Sequence, residues 1–340
     1  MSAVKIGVFD HLDRNGSPLD AQFEDRLRTI EAYDAAGFDS YHLAEHHGTP
    51  LGMAPSPGIF LSAVAQRTQR IRFGPLVYIL PLYHPLRLAE EIVMLDRLSN
   101  GRFNLGIGRG ISPIESGLYG NDPAEAQARF DEALAVLQLA FTADRLTYAG
   151  NYYRFEDVPI EMHPMQSPHP PFWYGAGSPE SAERAAARGF NVITHNVEEA
   201  AVVVRRFRAA AARAGKPELE IGVGRFIVVA DTDAQARAIA ARAFPRWHES
   251  FHHLYHAHGR SPVFGERPDL DGYIAQGQAI VGSPQRVSAM LAAQAEASDA
   301  DVQLGQFVFG DMNLAESLRS IELFAAHVLP ALRAEVVVKR

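Results

Sequence analysis

Along the chain, short runs of β-branched and aromatic residues alternate with longer segments in which apolar positions recur three and four residues apart. Runs of the first kind at 4–9, 39–43, 71–80 and 102–107 start 35, 32 and 31 residues apart. That spacing suits repeated strand–helix units. Between them the periodicity predicts helices over 20–36, 57–67 and 85–98; in the third, Leu88, Ile92 and Leu95 share one face and charge takes the other. Gly37 ends the first helix as a C-cap glycine does. Further strands are predicted at 172–174, 191–194, 221–229 and 302–309. Eight such units predict an α/β protein, a single (β/α)8 TIM barrel over 1–340, and a doubly wound open sheet is the alternative with the same alternation. Two segments exceed the repeat. One is 142–170, where Gly150-Asn151-Tyr152-Tyr153 separates short strand-like runs; the other is 246–280, whose few apolar positions predict no stable core element.

Composition sharpens this picture. Hydrophobic residues at 47% and charged residues at 21% exclude a disordered or fibrous chain. A formal net charge of −8 argues against a polyanion-binding surface, so nucleic acid is not an expected partner. The absence of cysteine excludes disulfides, thiolate metal sites and a cysteine nucleophile. Lys5, Asp10, His11, Asp13, Arg14 and Asp20 interrupt the first twenty residues, which leaves no signal-peptide core. No apolar run approaches the roughly eighteen residues that span a bilayer. The expectation is a cytoplasmic protein without a membrane partner.

In an α/β barrel the chemistry lies at the carboxyl ends of the strands. Glu45-His46-His47 follows the second predicted strand, Gly106-Ile107-Gly108-Arg109-Gly110 the fourth, and Gly175-Ala176-Gly177-Ser178-Pro179-Glu180-Ser181 the fifth. The spacing G-x-G-x-G is not the dinucleotide fingerprint. A guanidinium inside a glycine turn is nevertheless suited to a phosphate, since Arg109 offers paired donors and the glycines admit a close backbone approach. The fifth-strand loop runs into a helix predicted over 181–188, whose amino-terminal amides favour an anion, with hydroxyls from Ser178 and Ser181. Simple capping by Ser178 is the other reading. Arg109 and this loop together point to a phosphate-bearing cofactor. His46 and His47 are candidate acid/base or wall residues; adjacent histidines point apart and only His42 accompanies them, so no metal is expected. His248, His252, His253, His256 and His258 cluster in the late segment, and the three that stand four apart read as a solvated helix face.

The strings Gly37-Phe38-Asp39, Ala44-Glu45-His46-His47, Ile79-Leu80-Pro81-Leu82, His84-Pro85-Leu86-Arg87, Ala89-Glu90-Glu91 and the stretch from Leu95 to Arg102 occur in one order. With Gly106 to Gly110 and Val281-Gly282-Ser283-Pro284, they resemble the bacterial-luciferase-like, flavin-dependent monooxygenase family over essentially the whole chain. The resemblance implies a (β/α)8 barrel that binds reduced FMN supplied by a separate flavin reductase. It implies reaction of the flavin with O2 to a flavin hydroperoxide, which oxygenates a small organic substrate. By the same resemblance Arg109, Gly177, Ser178 and Ser181 hold the phosphate, and His46 is the catalytic histidine. Leu76 and Val77 stand where the family has a cis peptide against the flavin. A homodimer is implied through the helices at 57–67 and 85–98, where Ala63, Ala65 and Ala89 permit close approach. Luciferase proper differs at Gly177, where it has an acidic residue, and at Ser112, where it has an aromatic one. The segment 246–280 is expected to act as a mobile lid. A deazaflavin-dependent oxidoreductase on the same barrel and a non-catalytic flavin-binding paralogue are the alternatives; the presence of His46 with Arg109 speaks against the second.

Overall fold

The computed structural model describes residues 4–263 and 265–338. Its first part runs β1 (Lys5–Asp10), α1 (Leu19–Ala36), β2 (Ser40–Leu43), α2 (Pro57–Arg67), β3 (Arg72–Pro75), β4 (Tyr78–Ile79), α3 (Pro85–Leu98) and β5 (Leu105–Gly108). Next come α4 (Pro113–Leu118), α5 (Ala126–Thr142), β6 (Arg145–Ala149), β7 (Arg154–Pro159), β8 (Phe172–Gly175), α6 (Pro179–Ala187), β9 (Asn191–Thr194) and α7 (Ala200–Arg213). The chain ends with β10 (Ile221–Val229), α8 (Asp233–Ala257), α9 (Leu270–Ala275), β11 (Ala279–Gly282), α10 (Pro284–Ser298), β12 (Val302–Gln306), α11 (Leu314–Leu323) and α12 (Leu329–Val338).

Parallel strands neighbour one another in the order β3-β2-β1-β12-β10-β9-β8-β5-β4. β3 and β4 are two halves of one strand, broken at Leu76–Val77, so the ends of this path meet. A parallel bridge between Phe73 and Phe103 draws β3 to the residues just before β5. The eight expected strands therefore form a ring, and the doubly wound alternative is excluded. β11, which the sequence pattern did not predict, adds a ninth by pairing Ala279 with Phe226 on the second half of β10.

Alternation along the strands sorts two layers of core. Ile6, Val8, Tyr41, Leu43, Val223 and Ile227 pack under the helices, whereas Phe9, Ala44, Leu76, Trp173, Ile193, Val302 and Leu304 form a separate cluster inside the ring. Glycine is required where β3 and β5 converge: a methyl on Gly74 would overlap the Asn104 carbonyl, and one on Gly106 the Pro75 carbonyl. At the rim end of β1, Arg26 of α1 donates to the buried Asp10 (2.6 Å), Tyr41 donates to its other oxygen (2.7 Å), and the Leu12 amide donates as well (2.8 Å). These bonds fix the turn that carries His11.

The excursion at 142–170 holds an antiparallel hairpin, β6 with β7. Glu132 of α5 holds its turn by accepting from the amides of Asn151 (2.7 Å) and Tyr152 (3.0 Å). The expectation for 246–280 is corrected. α8 continues through Ala257 with Pro245 inside it, and Trp247, His252, Leu254, Tyr255, Leu270 and Tyr273 are buried. Phe244, Trp247, Phe251, Leu254 and Tyr255 do have helical spacing, but the intervening histidines and Pro245 mask it. The helix predicted over 181–188 begins earlier, at Pro179. No helix among the described residues is long and apolar enough to cross a membrane.

Candidate active site

His46 leaves β2 onto the carboxyl rim and lines a cavity of about 90 Å3 with Thr49, Ser112, Glu115, Phe251 and Tyr255. Its Nδ1 lies 3.1 Å from Glu115 Oε1, and the same oxygen accepts from the His47 amide at 2.8 Å. A carboxylate at Nδ1 fixes the hydrogen there and leaves Nε2 as the free lone pair. Burial opposes the charge on Glu115, but His46 and the His47 amide outweigh it and hold the carboxyl below its ordinary range. Glu115 was not singled out from the sequence. Ser112 to Glu115 matches the capping pattern S-x-x-E, and Ser112 Oγ indeed accepts from the Glu115 amide (3.2 Å) to start α4. That pattern predicts the cap and says nothing of the carboxylate.

His47 turns the other way. Its Nε2 meets Glu45 Oε1 at 2.8 Å and its Nδ1 meets the Tyr119 hydroxyl at 2.8 Å. Glu45 also accepts from the Ile79 amide (3.0 Å), which ties β2 to β4; burial pushes its carboxyl upward. His46 and His47 thus have different partners, and no group of three or more His, Asp or Glu among the described residues is placed to hold a metal.

Arg109 follows β5 and Gly177, Ser178 and Ser181 follow β8. These strands are adjacent, and the pairing of Ile107 with Tyr174 brings both loops to one rim. Arg109 is exposed, and none of the hydrogen bonds or ion pairs found among the described residues uses its guanidinium. Ser178 Oγ accepts from the Ser181 amide (3.2 Å), so Ser178 does cap α6. A methyl built on Gly175 or Gly177 meets nothing within 4 Å, so the loop leaves open space beside the helix terminus. Between the phosphate-type loops and His46, the Leu76–Val77 peptide is cis, and Leu76 packs in the cluster inside the ring.

A second cavity, about 170 Å3, adjoins the first. His11, His195, Phe226, Trp247, Phe251, Arg267, Tyr273 and Gln306 line it, and Phe251 and Arg267 line both. The His11 ring stacks on His46 with centroids 5.6 Å apart. Burial, then the neighbouring His46 and His195, holds His11 well below its usual pKa; burial and Arg267 bring His195 down to about 4. Both imidazoles are neutral hydrogen-bonding groups. The sequence offered a signal for them, since each stands directly after a ring strand. The reading of His248, His252 and His256 as a solvated face is corrected: His252 is fully buried beneath Glu266 and Arg267.

Comparison with known proteins accords with this geometry. The model of the luciferase-like monooxygenase family matches residues 4–301. An uncharacterized protein, y4wF, of Sinorhizobium fredii is 43% identical, covering 93% of this chain and 94% of its own. The oxygenase component of a flavin-dependent trigonelline monooxygenase of Acinetobacter baylyi is 26% identical over 71% of this chain and 70% of its own. Among solved structures, the monooxygenase RslO1 from Streptomyces bottropensis superposes with a TM-score of 0.86 at 28% identity, covering 96% of this chain and 99% of that one. The fold is shared with the oxygenating constituent of 3,6-diketocamphane monooxygenase from Pseudomonas putida, solved with FMN (TM-score 0.80, 23% identity, 97% and 98% covered). It is shared also with a coenzyme F420-dependent tetrahydromethanopterin reductase of Methanopyrus kandleri (TM-score 0.68, 19% identity, 97% and 100% covered). The barrel, its rim residues and these matches together establish that the chain belongs to the luciferase-like monooxygenase family of oxidoreductases.

Proposed function

We propose that the protein is the oxygenase of a two-component system, taking reduced FMN from a separate flavin reductase and using O2 to oxygenate a small organic substrate. The observation that carries this reading is the cradle at the β5 and β8 rim. Arg109 offers an uncommitted guanidinium, Gly175 and Gly177 leave open space, and the hydroxyls of Ser178 and Ser181 stand at the start of α6. These residues fit the phosphate of FMN. When bound, reduced FMN supplies the two electrons with which one atom of O2 enters the substrate and the other leaves as water.

The residues of the chain do the rest. Arg109, Ser178 and Ser181 would hold the phosphate, and Leu76 and Val77 would line the flavin. His46, with its hydrogen fixed at Nδ1 by Glu115, presents Nε2 to accept a proton in the cavity. Trp247, Leu254 and Tyr255 of α8 line the cavities and limit the access of water. The missing dinucleotide fingerprint and the relative named an oxygenase component support a separate reductase. FMN rather than a deazaflavin is supported by that relative's name as a flavin-dependent monooxygenase. A His46–Glu115 pair aimed into a cavity favours a catalyst over a passive flavin carrier.

Assembly is proposed as a homodimer through α2 and α3, where Ile59 (75% exposed), Met94 (53%) and Leu98 (52%) leave apolar side chains uncovered. The functional test is oxygen-isotope transfer. With reduced FMN supplied by any flavin reductase and 18O2 in the gas phase, a panel of small ketones, aldehydes and aromatic acids should yield a product carrying one 18O. Label appearing only in peroxide and water across the panel would count against the reading.

A further inference from the structure

Gln306 ends β12 on the inner face of the ring. It pairs with Phe226 of β10, its alternate neighbours Val302 and Leu304 belong to the cluster inside the ring, and it lines the larger cavity. The hydrogen bonds that reach it run in one direction. An indole N–H can only donate, so Trp247 Nε1, 3.4 Å from His11 Nδ1, makes that nitrogen the acceptor. Burial keeps the His11 ring neutral, and its single hydrogen therefore sits on Nε2. Gln306, which also bonds the His11 side chain, presents Oε1 to that hydrogen. Its Nε2 is left as a buried donor without an acceptor among the described residues. An unmet buried donor is costly, and a ligand oxygen would satisfy it.

The rest of the lining limits what that ligand can be. Phe9, Phe226, Trp247, Phe251 and Tyr273 supply aromatic walls, and among the described residues of the lining none is acidic. Arg225 also borders the cavity. It stands two residues after Val223, which packs under the helices, and its Nη1 donates to Gln303 Oε1 (2.6 Å) on that same outer face of the sheet. Its guanidinium, whose Nε and Nη2 have no acceptor, thus lies behind the wall. Burial draws Arg225 down to about 9, which leaves it a cation at neutral pH. With Arg267 it gives the cavity a positive potential that repels cations and favours an oxygen carrying negative charge, partial or full. A cavity of about 150 Å3 holds a benzene ring, so this space of about 170 Å3 suits a six-membered ring. The phosphate cradle stands over β5 and β8 and Leu76–Val77 between β3 and β4, whereas this cavity opens over β1, β9, β10 and β12, a separate arc of the ring.

We propose that Gln306 is the residue that recognises the substrate, giving Nε2–H to an acceptor oxygen on a small organic ring held by the aromatic walls, with Trp247 and His11 as the residues that fix its orientation. The inference rests on the monooxygenase reading and names the group through which its substrate is read. A ligand that offers only a hydrogen donor at this point leaves Gln306 unmet, and a cationic one is repelled.

The test uses the full chain without flavin, titrated with cyclohexanone and with methylenecyclohexane, which has nearly the same shape and no acceptor, and followed by ligand-observed NMR. Cyclohexanone should bind about 3- to 12-fold more tightly, and its infrared carbonyl stretch should move to lower wavenumber on binding. Gln306→Met should abolish both the preference and the shift. Gln306→Glu, which keeps the oxygen that His11 needs, should abolish them as well, while Arg225→Met should keep the preference to within about twofold. By 15N NMR His11 should be Nε2–H in the parent and a mixture of tautomers in Trp247→Phe, with a smaller carbonyl shift. Anaerobic titration should find reduced FMN affinity unchanged in the Gln306 variants. Equal binding of the two probes, no binding of cyclohexanone at millimolar concentration, a preference that survives in Gln306→Met or is lost in Arg225→Met, or a loss of FMN binding in Gln306→Met would overturn the proposal. Since cyclohexanone is read without flavin, failure of FMN binding in the parent would strike the monooxygenase reading and leave this measurement standing.

Discussion

Replacing Glu115 by Gln removes one charge and almost no volume, and it acts on His46 at a single atom. Glu115 Oε1 accepts from the His46 ring (3.1 Å) and from the His47 amide (2.8 Å), on a side chain 5% exposed. A hydrogen bond to a charged group contributes about 1.5–3 kcal/mol, which is about 10- to 150-fold in an equilibrium or a rate. In the parent, a bias of that size keeps the ring almost wholly in the Nδ1–H tautomer. The glutamine oxygen, at the place of Oε1, still meets both the His47 amide and Nδ1, but as a neutral acceptor it bonds more weakly and lowers the bias toward the Nδ1–H tautomer. 15N NMR of the imidazole reads the tautomer without any substrate. We expect the parent as Nδ1–H, Glu115→Gln with a larger share of Nε2–H, a fall in product formation of about 3- to 12-fold, and reduced FMN affinity unaltered. In a His46→Ala background the Glu115 substitution should cost little more, because the two act as a unit. An unchanged tautomer in Glu115→Gln, or equal turnover, would refute the argument that Glu115 orients His46.

Asp13 is fully buried and its carboxyl is pushed up to about 7 by desolvation, against the pull of Arg26 and the Gly310 amide. A raised folded-state value contributes stability that is full below about 4 and is lost as pH rises to about 7, so Asp13→Asn should gain more relative to the parent above neutrality, on the order of 2–4 kcal/mol, than near pH 5, about 1–2 kcal/mol; equal gains in chemical denaturation at both pH values would be the contrary result. Ile59→Glu with Leu98→Glu should convert a dimer of about twice 37.3 kDa into monomers by light scattering, and a monomeric parent would remove the α2–α3 interface. Trypsin should cut first at Arg260, exposed just past the end of α8, and more slowly with reduced FMN present; first cleavage within α8 would contradict the packing of that helix.

The barrel was legible because its strands are short and apolar on both faces and the first four are evenly spaced, while α3 shows one apolar stripe. β11 escaped because four residues, Ala279–Gly282, lie at the end of a segment otherwise lacking strand character. α8 escaped because Pro245 and four histidines interrupt a periodicity that Trp247, Phe251 and Leu254 nonetheless keep. At the candidate site, residues placed directly after strands, His46 and Arg109, were singled out from sequence. Those that reach it from elsewhere, Glu115 from α4 and Arg267 from beyond α8, were not. Their use depends on which loops meet above the ring, and no local pattern encodes that meeting.

The central claim is tested most directly by anaerobic titration of the parent and Arg109→Ala with reduced FMN and with a reduced deazaflavin. The account predicts that reduced FMN binds the parent and that Arg109→Ala weakens it by about 1.5–3 kcal/mol, or about 10- to 150-fold, through loss of a charge-assisted bond to the phosphate. It predicts weaker binding of the deazaflavin. Equal FMN affinity in parent and variant, or a parent that takes the deazaflavin and not FMN, would contradict it.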